Sequence, residues 1–166
     1  YQVLEGVKAQ YPYAVVNAIT TSIGGENSEQ GEKRFEQDVL VHKPDVLFID
    51  YALNDRGIGL ERSRAAMEKM IRKAQQRKIP VILLTPSPDL QVNILEKDNT
   101  LEQYTQVLIA LAKQYKTGLA DSYAAFKAAA AKGQALPELM AQSNHPNKKG
   151  HAVIARGILS YFRLDK

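Results

Sequence analysis

Apolar residues along the 166-residue chain fall into two patterns, short unbroken runs and repeats at helical spacing. An unbroken apolar run is typical of a strand that is buried on both faces, as in a parallel sheet. Such runs predict strands at 14–19, 45–51 and 81–84, with a shorter one at 119–121. Helices, recognised mostly by apolar positions three or four residues apart, are predicted at 1–11, 29–42, 60–78, 101–115, 123–132 and 152–162.

The alternation of strands and helices predicts the fold class. A strand, a helix and a second strand in succession build a parallel sheet with right-handed crossovers and helices on both faces. We therefore expect residues 1–166 to form a single three-layer α/β/α domain with a mainly parallel sheet and no internal linker. Ligands bind such folds at the carboxyl ends of the strands. The segments that end there are 20–25, 52–56, 85–89 and the region of Asp121, and the loop of His145 can join them.

The composition excludes several classes of chemistry. The chain has no cysteine, which excludes disulfides and thiolate metal sites, and its three histidines show no metal-ligand spacing. No glycine-rich phosphate loop follows a predicted strand, which argues against nucleotides and dinucleotides. The net charge of +4 comes from 22 basic residues scattered among 18 acidic ones, so we expect no nucleic-acid partner. The sequence therefore predicts a site without metal or cofactor.

The start of the sequence indicates that residues precede it. The chain begins at Tyr1 rather than Met, and the predicted opening helix has no N-capping residue before it. Any export signal would lie in that preceding part, and we favour export over a cytoplasmic location. No apolar stretch is long enough to cross a bilayer. The sequence does not indicate an oligomeric state.

Three residues near predicted strand ends and loops have the chemistry of an acyl-transfer site. Ester hydrolysis needs a nucleophile, a base that deprotonates it, and donors for the oxyanion that develops. His145 precedes a rigid proline and the last predicted helix, which suits a general base. The side-chain amide of Asn54 and the backbone N–H of Gly25 suit the oxyanion. Taken singly, each is more often an ordinary turn or surface residue, and we interpret His42 and His151 as structural.

Three segments carry a family resemblance. Residues 24–28 (GGENS), 44–55 (PDVLFIDYALND) and 144–151 (NHPNKKGH) resemble three of the four signature blocks of SGNH (GDSL-type) hydrolases, in the family's order. The resemblance implies a flavodoxin-like sheet in the order 2-1-3-4-5 and cofactor-free hydrolysis of esters through a serine nucleophile. It also implies that Gly25 and Asn54 form the oxyanion hole and that His145 is the base.

The chain departs from the family pattern at the nucleophile. The first block, a Gly-Asp-Ser at the end of the first strand, is absent from residues 1–166, and its usual place is just before the opening helix. In the implied sheet order that strand lies between those predicted at 14–19 and 45–51. We favour a domain that lacks its first strand here, with the strand and the nucleophile preceding Tyr1; the alternative is that the two predicted strands pair directly. None of the internal serines considered, Ser22, Ser28, Ser87 and Ser143, occupies a strand-to-helix elbow. If the nucleophile lay within the chain, Ser87 would be the first choice.

A second departure concerns the residue that orients the base. Where the family has an Asp three residues before the histidine, this chain has Gln142. The amide oxygen of Gln142 or a backbone carbonyl can still accept from Nδ1–H of His145, which leaves a Ser–His dyad in place of a triad. A smaller departure is Ala52, which stands where the family block usually has glycine.

The sequence thus predicts a serine-type ester hydrolase, an acylesterase or deacetylase acting on a small-molecule ester. Acetylated carbohydrate is a substrate class that the resemblance implies. The alternative is a catalytically inactive SGNH-like binding domain, which Gln142 favours because an amide cannot stabilise an imidazolium by charge. A flavodoxin-like signalling or nucleic-acid module is the third interpretation.

Overall fold

A parallel sheet with helices on both faces forms the protein. The computed structural model of the chain describes residues 1–163. Within them, three strands pair in the order β1-β2-β3, where β1 is Leu47–Ile49, β2 is Val81–Leu84 and β3 is Gly118–Ala120. The α-helices of the same residues are α1 (Gln2–Gln10), α2 (Ser28–Arg34), α3 (Leu60–Gln76), α4 (Thr100–Tyr115), α5 (Ser122–Ala131) and α6 (Lys148–Leu159).

The two faces of β2 enter two different hydrophobic cores. Val81 and Leu83 pack among residues of α3 and α4 on one face of the sheet. Ile82 and Leu84 pack on the other face with Ala120 and residues of α1 and α6. Every residue of β2 is buried. The three-layer α/β/α fold and the two-sided burial expected from an unbroken apolar run are therefore confirmed.

The helix that opens the chain packs on the helix that closes it. A Cβ atom added at Gly6 of α1 would lie 2.5 Å from Cδ1 of Leu159 in α6, so the absence of a side chain allows this close approach. A smaller cluster centred on the fully buried Phe126 joins α5 to Leu139 and to the segment that precedes α6. That cluster supports the loop at the carboxyl edge of the sheet.

Most predicted elements are confirmed within a few residues, but the strand predicted at 14–19 is wrong. Residues 14–19 form neither strand nor helix, and Val15 and Ile19 are 91% and 56% exposed. A strand needs a hydrogen-bonded neighbour, and none of residues 1–163 provides one beside this segment. The helix predicted at 29–42 is also interrupted: α2 ends at Arg34, and the chain continues as a π-helical turn (Phe35–Val39) and a 3-10 turn (Leu40–His42).

A buried carboxylate joins the segments that surround the turn after β1. The side chain of Asp55 is fully buried and accepts hydrogen bonds from the backbone N–H of Ser28 (2.7 Å) and the hydroxyl of Ser63 (2.6 Å). Its main-chain carbonyl accepts from the hydroxyl of Tyr104 at 3.0 Å. Asp55 therefore bonds to the first turns of α2 and α3 through its side chain and to α4 through its main chain.

Replacing Asp55 with alanine should destabilise the fold. The change leaves the N–H of Ser28 and the hydroxyl of Ser63 buried without an acceptor, which costs about 3 kcal/mol of unfolding free energy. Ser63→Ala removes only one of the two bonds and should cost about 1 kcal/mol. Urea denaturation of both variants measures the difference. A loss for Asp55→Ala no larger than that for Ser63→Ala would contradict the role assigned to the carboxylate.

Candidate active site

A cleft of about 240 Å³ opens at the carboxyl edge of the sheet. The turns that follow the three strands and the start of α6 contribute its walls. Among the residues that line it are Asp50, Asn54, Thr85, Ser87, Ser122, Asn144, His145 and His151. The structure therefore brings Asn54 and His145, two of the three site residues predicted from the sequence, to one cleft.

The main chain around His145 forms a closed turn. The carbonyl of His145 accepts hydrogen bonds from the N–H groups of Ala141 (2.8 Å) and Gln142 (3.3 Å), and Met140 bridges Pro146 in antiparallel fashion. His145 is exposed at the cleft, and within residues 1–163 its imidazole makes no hydrogen bond or ion pair. Gln142 thus bonds to His145 through its backbone N–H.

Asn147 attaches this turn to α6. Its side-chain oxygen caps the helix by accepting from the N–H groups of Lys149 (2.9 Å) and Gly150 (3.1 Å). Its side-chain nitrogen donates to the carbonyls of Glu138 (2.9 Å) and Met140 (3.3 Å) across the turn. The last helix, predicted at 152–162, therefore begins earlier, at Lys148, and the position of the turn relative to it is fixed from both sides.

Asn54 is bonded to the loop that carries Gly25. Its Nδ2 atom donates to the main-chain carbonyl of Glu26 at 3.0 Å. The N–H of Glu26 in turn donates to the carbonyl of Ile23 at 3.2 Å, which closes a tight turn with Gly25 at φ +75°. This positive φ favours glycine. Gly25 is not among the residues that line the cleft. It is connected to Asn54 through the main chain of Glu26, the next residue, whose carbonyl accepts from the Asn54 amide.

Other polar side chains near the strand ends form ion pairs or hydrogen bonds within the protein. Arg56 forms an ion pair of 2.8 Å with the buried Asp89. Asp121 accepts from the hydroxyl of Thr85 at 2.8 Å and caps α5 by accepting from the N–H of Ala124 at 3.0 Å. This ion pair and these hydrogen bonds therefore fix the loops at the carboxyl edge of the sheet.

Sequence reasoning missed three residues of the cleft. Ser122 directly follows β3 and opens α5, a strand-to-helix position that its neighbours in the sequence already indicated. Asp50 directly follows β1. His151, which we interpreted as structural from the sequence, also lines the cleft. Of the serines considered from the sequence, Ser87 lines the cleft and Ser28 is fully buried.

Asp50 is the only acidic side chain lining the cleft within residues 1–163. The surrounding protein atoms, with a smaller contribution from the carboxylate of Asp55, raise the pKa of Asp50 to about 7. The residue still contacts solvent through the cleft. A carboxyl group with a raised pKa keeps its proton to higher pH than an ordinary aspartate, and in its protonated form it can donate a hydrogen bond.

Neither a metal cluster nor a membrane span is found in the part of the chain that the structure describes. No group of three or more acidic or histidine side chains within residues 1–163 could hold a metal ion. No helix of those residues has the length and apolar character needed to cross a bilayer.

Comparison with known families identifies the chain. The model of the GDSL-like lipase/acylhydrolase family matches residues 3–153. The chain belongs to this family. The match includes the turn of Gly25, the turn of Asn54 and the loop of His145, so the resemblance to SGNH hydrolases is confirmed. As a member of the family, the protein is an ester-hydrolysing enzyme.

Similar proteins include acetylxylan esterases. An acetylxylan esterase from Geobacillus stearothermophilus is 24% identical over 169 residues, covering 92% of this chain and 75% of that protein. A crystal structure of an acetylxylan esterase from the same organism has a TM-score of 0.86 at 24% identity and covers 98% of this chain and 80% of that one. Structures of its catalytic mutants, in which a serine, an aspartate or a histidine is replaced by alanine, have TM-scores of 0.82 to 0.84.

A third relative matches part of the chain. An uncharacterized lipoprotein of Bacillus subtilis (strain 168) is 31% identical over 86 residues. The matched region covers 47% of this chain and 35% of the lipoprotein.

Replacing Gly150 with alanine should displace the turn of His145. A Cβ atom there would lie 2.2 Å from the carbonyl oxygen of Leu139 and 2.8 Å from Cβ of Pro146, so the start of α6 must move. We expect a loss of about 2 kcal/mol in unfolding free energy, measured by urea denaturation.

The matched control is Gly157→Ala on the same helix. Its new Cβ would meet only Cβ of Ala120, at an ordinary distance of 3.9 Å. That variant should gain up to about 1 kcal/mol from helix propensity. Equal stabilisation of the two variants would show that the contact at Gly150 does not constrain the turn.

Proposed function

We propose that the protein is a serine esterase or deacetylase in which His145 is the general base and Asn54 and Gly25 form the oxyanion hole. The observation that supports this most directly is that Asn54 and His145 line one cleft at the carboxyl edge of the sheet. That edge is where parallel α/β folds bind ligands.

The proposed nucleophile is a serine of the family's first block. No Gly-Asp-Ser occurs within residues 1–166, so this serine would lie on a strand that precedes Tyr1 and pairs beside β1 in the completed domain. The catalytic mutants of the related acetylxylan esterase, which replace a serine, an aspartate or a histidine, support a serine mechanism. In that mechanism the serine attacks the acyl carbon, and His145 accepts its proton and returns it to the leaving alcohol.

The proposed oxyanion hole follows from the bonding of Asn54. The amide nitrogen carries two protons and donates one to the carbonyl of Glu26 at 3.0 Å, which fixes the direction of the other. The backbone N–H of Gly25 adds a second donor from the adjacent turn. Neutral donors held in place before the reaction stabilise the negative charge that forms only in the transition state.

The proposed base, His145, has no acidic residue at the family's usual position. Gln142 occupies the position where the family has an aspartate, and it approaches the base residue through its backbone N–H. We infer a Ser–His dyad.

The proposed substrate is a small acyl ester, and acetylated carbohydrate is the proposed class. Two observations support it: the cleft measures about 240 Å³, and two relatives are acetylxylan esterases. The lipoprotein relative supports an exported location. Neither nucleic acid nor a cofactor has a role in the proposed reaction.

Replacing His145 with alanine in the full-length protein should lower kcat for p-nitrophenyl acetate by about 10²- to 10⁴-fold, because the serine loses its base. His151→Ala is the matched control, since it removes a second imidazole from the same cleft and should keep kcat close to that of the parent protein. Equal rates with and without the imidazole of His145 would show that His145 is not the general base.

Restoring the family's acid should accelerate the enzyme. Gln142→Asp places a carboxylate where it can stabilise the imidazolium of His145, and loss of such an aspartate costs about 10⁴ in turnover in a serine protease. We expect kcat to rise by at least about tenfold, a part of that effect, while Gln142→Ala leaves it unchanged. An unchanged or lower kcat in Gln142→Asp, measured with the same ester, would rule out the inferred dyad.

A further inference from the structure

A buried ion pair lies directly beside the turn of Gly25. The side chain of Glu26 is almost buried, and both of its oxygens accept from the guanidinium of Arg34, from Nε at 2.6 Å and from Nη2 at 2.5 Å. Such bidentate pairs are geometrically specific, because both hydrogen bonds must be satisfied together. The last turn of α2 therefore fixes the side chain of Glu26.

The same carboxylate accepts a third hydrogen bond from the sheet. The hydroxyl of Tyr51, two residues after β1, donates to Oε2 of Glu26 at 3.0 Å. Gly31 of α2 provides the space for this phenol, since a Cβ there would lie 2.1 Å from the hydroxyl oxygen. Glu26 is thus held from both the helix side and the sheet side.

The main chain of Glu26 controls the two proposed oxyanion donors. Its N–H closes the turn that gives Gly25 its positive φ, and its carbonyl accepts from the amide of Asn54 at 3.0 Å. A displacement of Glu26 would therefore move both the N–H of Gly25 and the free proton of the Asn54 amide.

We propose that Arg34 and Tyr51 are positioning residues that act through Glu26 to fix the N–H of Gly25 and the amide of Asn54 for oxyanion stabilisation. This inference rests on the proposed function of those two donors. Misplacing a catalytic group by about 1 Å can cost about 10²-fold in rate.

The charges of this network are compatible with a constant role across neutral pH. The hydrogen bonds from Arg34 hold the pKa of Glu26 below its usual range, and Glu26 raises the pKa of Arg34. Burial and the Glu26 carboxylate raise the pKa of Tyr51 to about 12. One negative and one positive charge cancel beside the proposed oxyanion hole. Tyr51→Phe leaves both charges in place, so its effect on kcat reports on position rather than on charge.

The test uses Arg34→Gln, Arg34→Lys and Tyr51→Phe in the full-length protein with p-nitrophenyl acetate. We expect kcat to fall about 10- to 100-fold in Arg34→Gln and about tenfold in Tyr51→Phe, with KM within about twofold. Arg34→Lys should recover part of the loss. In Tyr51→Phe, which keeps both charges of the ion pair, the pH profile of kcat/KM should have the same shape as that of the parent protein.

Arg62→Gln is the matched control. Arg62 also forms a bidentate pair with a glutamate, Glu29, but this pair is exposed and makes no contact with the turn of Gly25. Its loss should leave kcat unchanged. A merely structural role for Arg34 would lower the folded fraction while leaving kcat per folded molecule close to that of the control.

A readout independent of activity separates this inference from the proposed function. In ¹H–¹⁵N spectra, the backbone signal of Gly25 and the side-chain signals of Asn54 should shift in Arg34→Gln and Tyr51→Phe but not in Arg62→Gln. Unchanged signals and an unchanged kcat in folded Tyr51→Phe would overturn the inference and leave the proposed function standing. If the parent protein hydrolyses no ester, the proposed function fails, and the spectra alone decide whether Arg34 and Tyr51 position the two groups.

Discussion

The buried carboxylate of Asp55 is the constraint on which the rest of the site depends. It joins the first turns of α2 and α3 to the turn after β1, and its neighbour Asn54 is thereby held at the edge of the sheet. A buried charge is tolerated only when hydrogen bonds replace its lost hydration. The N–H of Ser28 and the hydroxyl of Ser63 each bond to one oxygen of the carboxyl group, so they hold the turn of Asn54 against α2 and α3.

The two halves of the cleft are attached to the scaffold in different ways. On one side, Asn54 and the turn of Gly25 are fixed by side chains that reach across from α2, with Glu26 as the common partner. On the other side, Asn147 ties the turn of His145 to α6 through a helix cap and two carbonyl contacts. Both attachments leave one amide proton of Asn54 and the imidazole of His145 without a hydrogen-bond partner among residues 1–163, as the proposed reaction requires.

Sequence reasoning succeeded where the signal is local. Burial of β2 on both faces and the amphipathic helices α3, α4 and α6 follow from spacing that is visible within each segment. It failed at 14–19, because a strand forms only beside a neighbour and apolar residues alone do not supply one. It also missed Ser122 and Asp50, whose importance comes from the cleft they share rather than from any motif around them.

The sequence by itself determined the α/β class, the positions of most helices and strands, and the family's block order with Gly25, Asn54 and His145. These follow from periodicity and from short motifs, which are properties of contiguous residues. Only the tertiary structure decided that Asn54 and His145 share a cleft and that Asn54 bonds to Glu26, the residue after Gly25. It also decided that the side chains of Asp55, Arg56 and Asp89 form hydrogen bonds or ion pairs within the protein. Side chains distant in sequence are brought together by packing and hydrogen bonding between elements, which no local pattern specifies.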